Sequence, residues 1–215
     1  QNSWFNVPPP IATDLNFSSI YAYNSTLRVI DNNRFDNQSI GIKNQGSLPL
    51  VSGTIIGNDN SAPNIFRSNV LGVFGVGNTS LDIYGFPGQS RVENNLFSAS
   101  KIGLYGYNFF DIVENTIEYS FDIEIDDTGD YFNSINCNTL NNHGKIKVVN
   151  NNQNTEFLSN DFNDGGSIDV ELINASVRSV MGSQANPAGN CFSGATNILA
   201  DNTSTTFNYF YYNPS

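Results

Sequence analysis

The chain has 215 residues, only 13% of them charged, with a formal net charge of −11 and a pI near 4.2. This balance excludes nucleic acid and anionic membrane as partners held by bulk electrostatics, because both require a basic surface. It also disfavours a polyuronate-cleaving lyase, which needs a basic groove, although bound calcium could invert that argument locally. A hydrophobic fraction of 39%, with 16 Phe and 10 Tyr, is too apolar for a disordered chain and sufficient for one sizeable core.

A short phrase recurs along the chain: apolar, two residues, Asn, one residue, apolar. In order it reads Ile30-Asp-Asn-Asn33-Arg-Phe35, Phe66-Arg-Ser-Asn69-Val-Leu71, Val92-Glu-Asn-Asn95-Leu-Phe97, Ile112-Val-Glu-Asn115-Thr-Ile117, Ile135-Asn-Cys-Asn138-Thr-Leu140 and Phe157-Leu-Ser-Asn160-Asp-Phe162. The last four Asn are 20, 23 and 22 residues apart. Further on, Gly189-Asn190-Cys191-Phe192 keeps the second half of the phrase, with Pro187 at its first apolar position. A period near twenty residues is the signature of a solenoid. The longer gaps imply insertions, and Ser47 to Asn64, with Pro49, Gly53, Gly57 and Pro63, is assigned as a bulging loop.

Some seven residues after each phrase comes an alternating strand. These are Ile40-Gly-Ile42, Ile102-Gly-Leu104, Phe121-Asp-Ile123-Glu-Ile125, Ile146-Lys-Val148 and Ile168-Asp-Val170-Glu-Leu172, and Leu81-Asp-Ile83 fits the same slot after a longer gap. Period-2 apolar residues point to one face of a strand. No 3.6-period stripe persists, so no helix is expected. Asn tolerates the left-handed backbone region better than any other non-Gly residue, which suits a turn. Stacked Asn side chains can also hydrogen-bond along the stack, as in cross-β ladders. The expected fold is all-β: a right-handed parallel β-helix of about seven to eight rungs, each rising about 4.8 Å. Its ladder is assigned to Asn33, Asn69, Asn95, Asn115, Asn138 and Asn160. One domain is expected over 1–215, with an N-terminal rung or cap at 1–26, regular rungs over 27–200 and a C-terminal aromatic strand at 201–215.

This combination resembles the right-handed parallel β-helix repeats of secreted and surface proteins, over about residues 20 to 200. The ending, Asn186-Pro-Ala-Gly-Asn190-Cys-Phe192-Ser followed by Phe207-Asn-Tyr-Phe-Tyr-Tyr212, resembles the close of the β-helix region in very large secreted proteins of the Bacteroidetes. The resemblance implies a secreted or cell-surface setting, often with adhesion or gliding attached. Coils of this kind carry lyases, hydrolases, tailspikes and inert stalks, so the fold alone does not choose among them.

The chain begins at Gln1 without a signal peptide and is read as a mature or excised piece of a longer protein, so a missing signal says little about location. No run reaches the roughly 18 apolar residues of a membrane-spanning helix, and no membrane insertion is expected. Six Asn-x-Ser/Thr sequons, at Asn16, Asn24, Asn37, Asn78, Asn174 and Asn202, arise by chance in so Asn- and Ser-rich a chain. Cys137 and Cys191 are read as free thiols, because their rungs stand too far apart for a disulfide. His143 sits in an Asn-Asn-His-Gly turn without a ligand partner in register. Asp126-Asp127-Thr-Gly-Asp130 lacks the alternation and terminal Glu of a calcium loop and is read as an acidic turn, and Leu71 to Gly77 lacks the Lys of a phosphate loop and is read as strand and turn.

If the apolar strand residues point inward, their alternating partners form one outward face. Up the rod that face reads Tyr105, then Asp122/Glu124/Asp126, then Lys147, then Asp169/Glu171, with Tyr84 and Tyr105 in matching slots. Three readings compete for it. One is a solvated face on which Lys147 relieves carboxylate repulsion. Another is a carbohydrate or calcium contact surface of stacked tyrosines and carboxylates, formed by Tyr84, Tyr105, Asp122, Glu124, Lys147, Asp169 and Glu171. The last is a glycosidase-like pair, Asp122 and Asp169, two rungs apart. The expected function is a non-catalytic extracellular stalk, adhesin or glycan-binding module beside flanking domains of a longer chain. A polysaccharide-degrading enzyme and a self-assembling fibre subunit are the alternatives. No cofactor is expected, calcium being the one ion the acidic face could take.

Overall fold

The computed structural model describes residues 3–6, 18–23, 28–29, 32–46, 55–57, 62–67, 69, 71–77, 90–93, 95–98, 100–106, 110–119, 122–128, 132–163, 166–201 and 207–209. Among them are 23 short strands and no helix. The first turn is β1 (Trp4–Asn6), β2 (Ser18–Tyr23) and β3 (Arg28–Val29); the second is β4 (Arg34–Asp36), β5 (Ile40–Gly46) and β6 (Ile55–Ile56). The third is β7 (Ile65–Arg67), β8 (Leu71–Gly77) and β9 (Ser90–Glu93); the fourth is β10 (Leu96–Ser98), β11 (Lys101–Tyr105) and β12 (Phe110–Val113). The fifth is β13 (Thr116–Glu118), β14 (Ile123–Asp126) and β15 (Asn133–Asn136); the sixth is β16 (Thr139–Leu140), β17 (Ile146–Asn151) and β18 (Thr155–Leu158). An irregular end follows: β19 (Asp161–Phe162), β20 (Ile168–Ser176), β21 (Val180–Met181), β22 (Thr196–Asp201) and β23 (Asn208–Tyr209).

Every third strand pairs in parallel, which makes three sheets around one core. Sheet A runs β1-β4-β7-β10-β13-β16-β19, sheet B runs β2-β5-β8-β11-β14-β17-β20-β22, and sheet C runs β3-β6-β9-β12-β15-β18. The chain is therefore an all-β parallel solenoid. It has six complete three-strand turns rather than seven to eight. The difference arises at the C-terminal end, where sheet C stops at β18 while sheet B continues through β20 and β22.

Inward side chains stack rung upon rung. In sheet A, Phe35, Phe66 and Phe97 are fully buried and parallel, with ring centroids 4.8 and 4.7 Å apart, and Ile117, Leu140 and Phe162 continue the column. Gly72 in sheet B makes room for this stack, since a Cβ there would lie 2.7 Å from the Phe97 ring. Sheet B contributes Ile42, Val73, Ile102, Ile123, Ile146 and Val170, and sheet C contributes Val29, Ile56, Ile112, Ile135 and Phe157. Each buried aliphatic or aromatic side chain of this kind contributes roughly 1.5–3 kcal/mol on burial.

At the corner from sheet C to sheet A runs a ladder of buried side-chain amides. Asn33 donates through Nδ2 to Asn64 Oδ1 at 2.9 Å, Asn64 to Asn95 at 2.9 Å, and Asn95 to Asn115 at 3.0 Å. Asn115 to Asn138, Asn138 to Asn160 and Asn160 to Asn190 are each 3.0 Å. The same Oδ1 also accepts the backbone N–H of the rung below, for example Asn115 N–H to Asn138 Oδ1 at 3.0 Å. The second Nδ2 hydrogen reaches a backbone carbonyl, as from Asn138 to Ile112 O at 2.9 Å. The ladder begins with Ser3 N–H on Asn33 Oδ1 and ends with Asn190 Nδ2 on the Tyr209 hydroxyl.

Three expectations are corrected here. Asn69 is not in this ladder; Asn64 is. Phe66 pairs with Phe97, so it is the last apolar residue of its phrase rather than the first. Asn69 lies at the next corner, where its Oδ1 accepts Gln38 N–H at 2.7 Å and its own N–H reaches Ser100 Oγ at 2.9 Å. The supposed loop 47–64 thus contains β6 and a ladder residue. The left-handed backbone is also not at the ladder Asn. It falls one residue earlier, at Asn32, Glu114, Cys137, Ser159 and Gly189, with φ between 52° and 71°. The ladder Asn residues serve through their amides and not through backbone tolerance. The strand proposed at 81–84 and the residue Tyr84 lie outside the described residues, and β8 occupies that slot of sheet B.

Two outcomes follow from this corner. Asn138→Ala removes the five hydrogen bonds of a mid-ladder amide and should lower unfolding stability by about 1–3 kcal/mol, each orphaned buried group costing in that range; an unchanged denaturation midpoint would contradict a buried ladder. At exposed Glu114, φ is +55°. Glu114→Val should therefore destabilise by about 1–2 kcal/mol while Glu114→Gly is neutral or slightly stabilising, and equal effects of the two substitutions would refute the left-handed assignment.

Candidate functional site

The densest ionisable cluster is the outward face of sheet B, and its arrangement follows from strand register. One outward column reads Tyr21, Lys43, Phe74, Gly103, Glu124, Lys147, Glu171 and Leu199 in successive strands. Its neighbour two residues along includes Tyr23, Gln45, Tyr105, Asp126, Val149, Ile173 and Asp201. Lys147 therefore stands between Glu124 and Glu171 in register.

Side-chain contacts run diagonally as well as straight up. Lys147 Nζ is 3.6 Å from Glu124 Oε1, while Glu171 is taken by Lys145 at 2.6 Å. Lys101 Nζ donates to Glu124 Oε2 at 3.0 Å. Lys101 and Lys145 each immediately precede the first inward Ile of their strand and had no part in the expected cluster. Their place before Ile102 and Ile146 was the available signal. These pairs are partly solvated and contribute at most about 1 kcal/mol each.

Two carboxyls on this face shift in opposite directions. Burial raises the Glu124 carboxyl, but the Lys101 hydrogen bond, the charges of Lys101 and Lys147, and the Tyr105 hydroxyl outweigh it, so the group titrates below its ordinary range. Asp122 goes the other way: burial dominates over Lys145 and Lys101 and pushes its carboxyl up. Burial and Glu124 also raise the Tyr105 hydroxyl despite Lys101.

Asp169 does not belong to the face. It is buried, and its Oδ2 accepts Ser193 N–H at 2.9 Å and Gly194 N–H at 2.8 Å. A Cβ on Gly194 would meet Asp169 Oδ1 at 2.7 Å, so a larger residue there would have to displace the carboxylate. The pair of Asp122 with Asp169 across two rungs is therefore not available to a substrate. The miss is explained by Ser193 and Gly194, which fold over Asp169 from more than twenty residues away.

Tyr105 packs edge-on against Phe74, with centroids 5.5 Å apart. Lys43 Nζ lies 5.3 Å from the Tyr21 ring and 5.6 Å from the Phe74 ring, a cation between two aromatic faces. Tyr21 and Tyr23 are more than half exposed. The N-terminal half of the face is thus aromatic and the C-terminal half ionic. Thr128, in the acidic turn after Asp126, is buried and donates to Asn152 Oδ1 at 2.6 Å, which gives that turn a structural role. Among the described residues, no three His, Cys, Asp or Glu side chains are grouped to hold a metal ion. Cys137 and Cys191 are free and exposed.

The opposite shifts at Asp122 and Glu124 give opposite pH dependences. Glu124, depressed in the fold, contributes stability that is present above its unfolded value and lost as pH falls through its folded one. Asp122, raised in the fold, favours the folded state below its unfolded value, and that advantage is lost as pH rises through its folded one. Glu124→Gln should therefore destabilise at pH 7 with a deficit that shrinks as the medium is acidified, whereas Asp122→Asn should be neutral or stabilising at pH 7. Melting curves between pH 3 and 7 check this, and a destabilised Asp122→Asn at pH 7 would contradict it.

Comparison with protein-family models, with curated proteins and with solved structures finds no match to this chain. What the chain is shown to be is a parallel β-solenoid with a buried asparagine ladder.

Proposed function

We propose that this chain is a non-catalytic extracellular module of a larger secreted or cell-surface bacterial protein, presenting sheet B as a binding platform for a glycan. The carrying observation is the aromatic and cationic outward surface of Tyr21, Lys43, Phe74 and Tyr105, flanked by exposed Tyr23. Sugar rings present C–H faces that stack on aromatic rings, and their hydroxyls bond to polar tips such as those of Tyr, Lys and Gln. The parallel register spaces these side chains at roughly 4.8 Å per rung, so an extended chain lying along the rod would meet Tyr21, Lys43 and Phe74 in turn. Further along the face, Glu124 and Glu171 are engaged with Lys101, Lys145 and Lys147.

The test is retention of the chain on a panel of bacterial and algal polysaccharides, with and without calcium. At least one neutral glycan should retain it, and the double substitution Tyr21→Ala/Tyr23→Ala should reduce that retention at least tenfold at unchanged melting temperature. Failure of the whole panel, or indifference to the substitution, would overturn the reading.

A second reading, glycoside hydrolysis, is favoured by one observation: Asp122 is pushed up while Glu124 is held down, the pattern of a general acid beside an ionised carboxylate. The two lie two residues apart, roughly 6.6 Å along an extended strand, at the lower end of the roughly 6.5–9.5 Å separation used by inverting glycosidases. Release of reducing ends that disappears in Asp122→Asn would establish it in place of simple binding.

A further inference from the structure

We propose that the chain associates head to tail with a second copy of itself, β2 of one copy adding to the outer edge of β22 of the next. Among the described residues sheet B ends at β22 on one side and at β2 on the other. No described strand pairs with the outer edge of β22. Ala200 continues the inward column above buried Leu172 and is itself exposed; Ile198 stands above buried Val170 and is only partly covered; Leu199 is 38% exposed. A strand with apolar residues along a free edge is a template for another strand.

The strand that fits is β2. Both β2 and β22 have six residues, and both lie parallel to the rest of sheet B. The inward pair of β22 is Ile198 and Ala200, and the pair at the matching register positions of β2 is Ile20 and Ala22, set on Ile42 and Asn44. Docking β2 on β22 would set Ile on Ile and Ala on Ala, continuing the rung rule of the interior into the next copy. On the outward side Leu199 would meet Tyr21 and Asp201 would meet Tyr23.

Charge supports the same polarity. Residues 1–75 hold four basic and four acidic residues, whereas residues 76–215 hold five basic and sixteen acidic, so the whole net charge of −11 falls in the later part. Near the β2 end the described ionisable residues are the basic Arg28, Arg34, Lys43 and Arg67 and one carboxylate, Asp36, which is buried and already bonded to Arg34 and Trp4. Head-to-tail contact puts a neutral-to-basic end on an acidic one, whereas end-to-like-end contact would oppose two acidic ends. A heterologous contact of this kind does not close, so assembly grows as a filament.

Sedimentation velocity of the 215-residue chain over a hundredfold concentration range tests this. Mass should rise with concentration, more steeply at low salt. Thr196 N–H donates to Ser167 O, and alternation along a parallel strand puts the Leu199 N–H on the free side. Leu199→Pro therefore removes an edge donor without removing a bond to β20. That variant should remain monomeric at an unchanged melting temperature. Because its β2 is intact, it should also shorten wild-type assemblies when mixed in at a tenth of the total. Should Leu199→Pro melt early, Leu199→Lys, a charge on the edge, carries the same expectations. A wild-type chain that stays monomeric at every concentration, variants that assemble like wild type, or mixing that leaves wild-type assemblies unshortened would each overturn the proposal.

Discussion

Everything in this molecule depends on one hydrogen-bonding problem: what satisfies the backbone at the sharp corner between sheets C and A. A solenoid turn brings N–H and C=O groups into a buried bend where no sheet partner is in line with them, and unpaired buried groups of this kind are costly. The asparagine amide resolves it because it has both donor and acceptor on a short stem. Its oxygen takes two N–H groups from the rung below, one from a side chain and one from the backbone, and its nitrogen supplies a neighbouring carbonyl. Asp offers no donor and Ser too little reach, so neither could repeat this pattern for seven rungs.

Once the corner is fixed, the rest follows by alternation. The ladder sets the phase of every strand that leaves it, so Phe, Ile and Leu fall inward in all three sheets and the polar partners fall outward. The other corners use mixed polar sets, such as Thr128 with Asn152 and Ser176, or Gln38 with Asn69 and Ser100. These sets do not repeat over many rungs, which suits corners where strand lengths vary. The outward face of sheet B inherits its geometry from this frame. Lys101, Lys145 and Lys147 reach Glu124 and Glu171 because parallel register holds them one rung apart, and at Asp122 burial outweighs the charges of Lys145 and Lys101 and the hydrogen bond from the Lys145 backbone.

The legible part of the fold was the part written in side-chain chemistry repeated at fixed spacing. Asn95, Asn115, Asn138 and Asn160 declare themselves because apolar residues flank each in the same way. Asn64 does not, since Ser61 stands at its first apolar position and Asn69-Val-Leu71 imitates the phrase a few residues later. The left-handed residues Glu114, Cys137 and Ser159 share a backbone angle but no side-chain character, so no pattern could expose them. Strand parity allowed Lys147 to be set between Glu124 and Glu171. It could not reveal the burial of Asp169, which depends on Ser193 and Gly194 folding over it from more than twenty residues away. The aromatic half of the face was missed for a related reason: Tyr21, Lys43 and Phe74 meet only through register across strands of unequal spacing.

The most direct measurement of this account is native-state hydrogen exchange at the backbone amides of Asn95, Asn115, Asn138 and Asn160. These lie at a bend, outside the sheets, and each is assigned a side-chain acceptor on the next rung, Asn115, Asn138, Asn160 and Asn190 respectively. The account predicts that they exchange as slowly as the amides of Ile123 and Val148 in the middle of sheet B, through opening of the whole domain. Exchange at rates typical of exposed turns would contradict it, and with it the claim that the asparagine ladder holds the solenoid together.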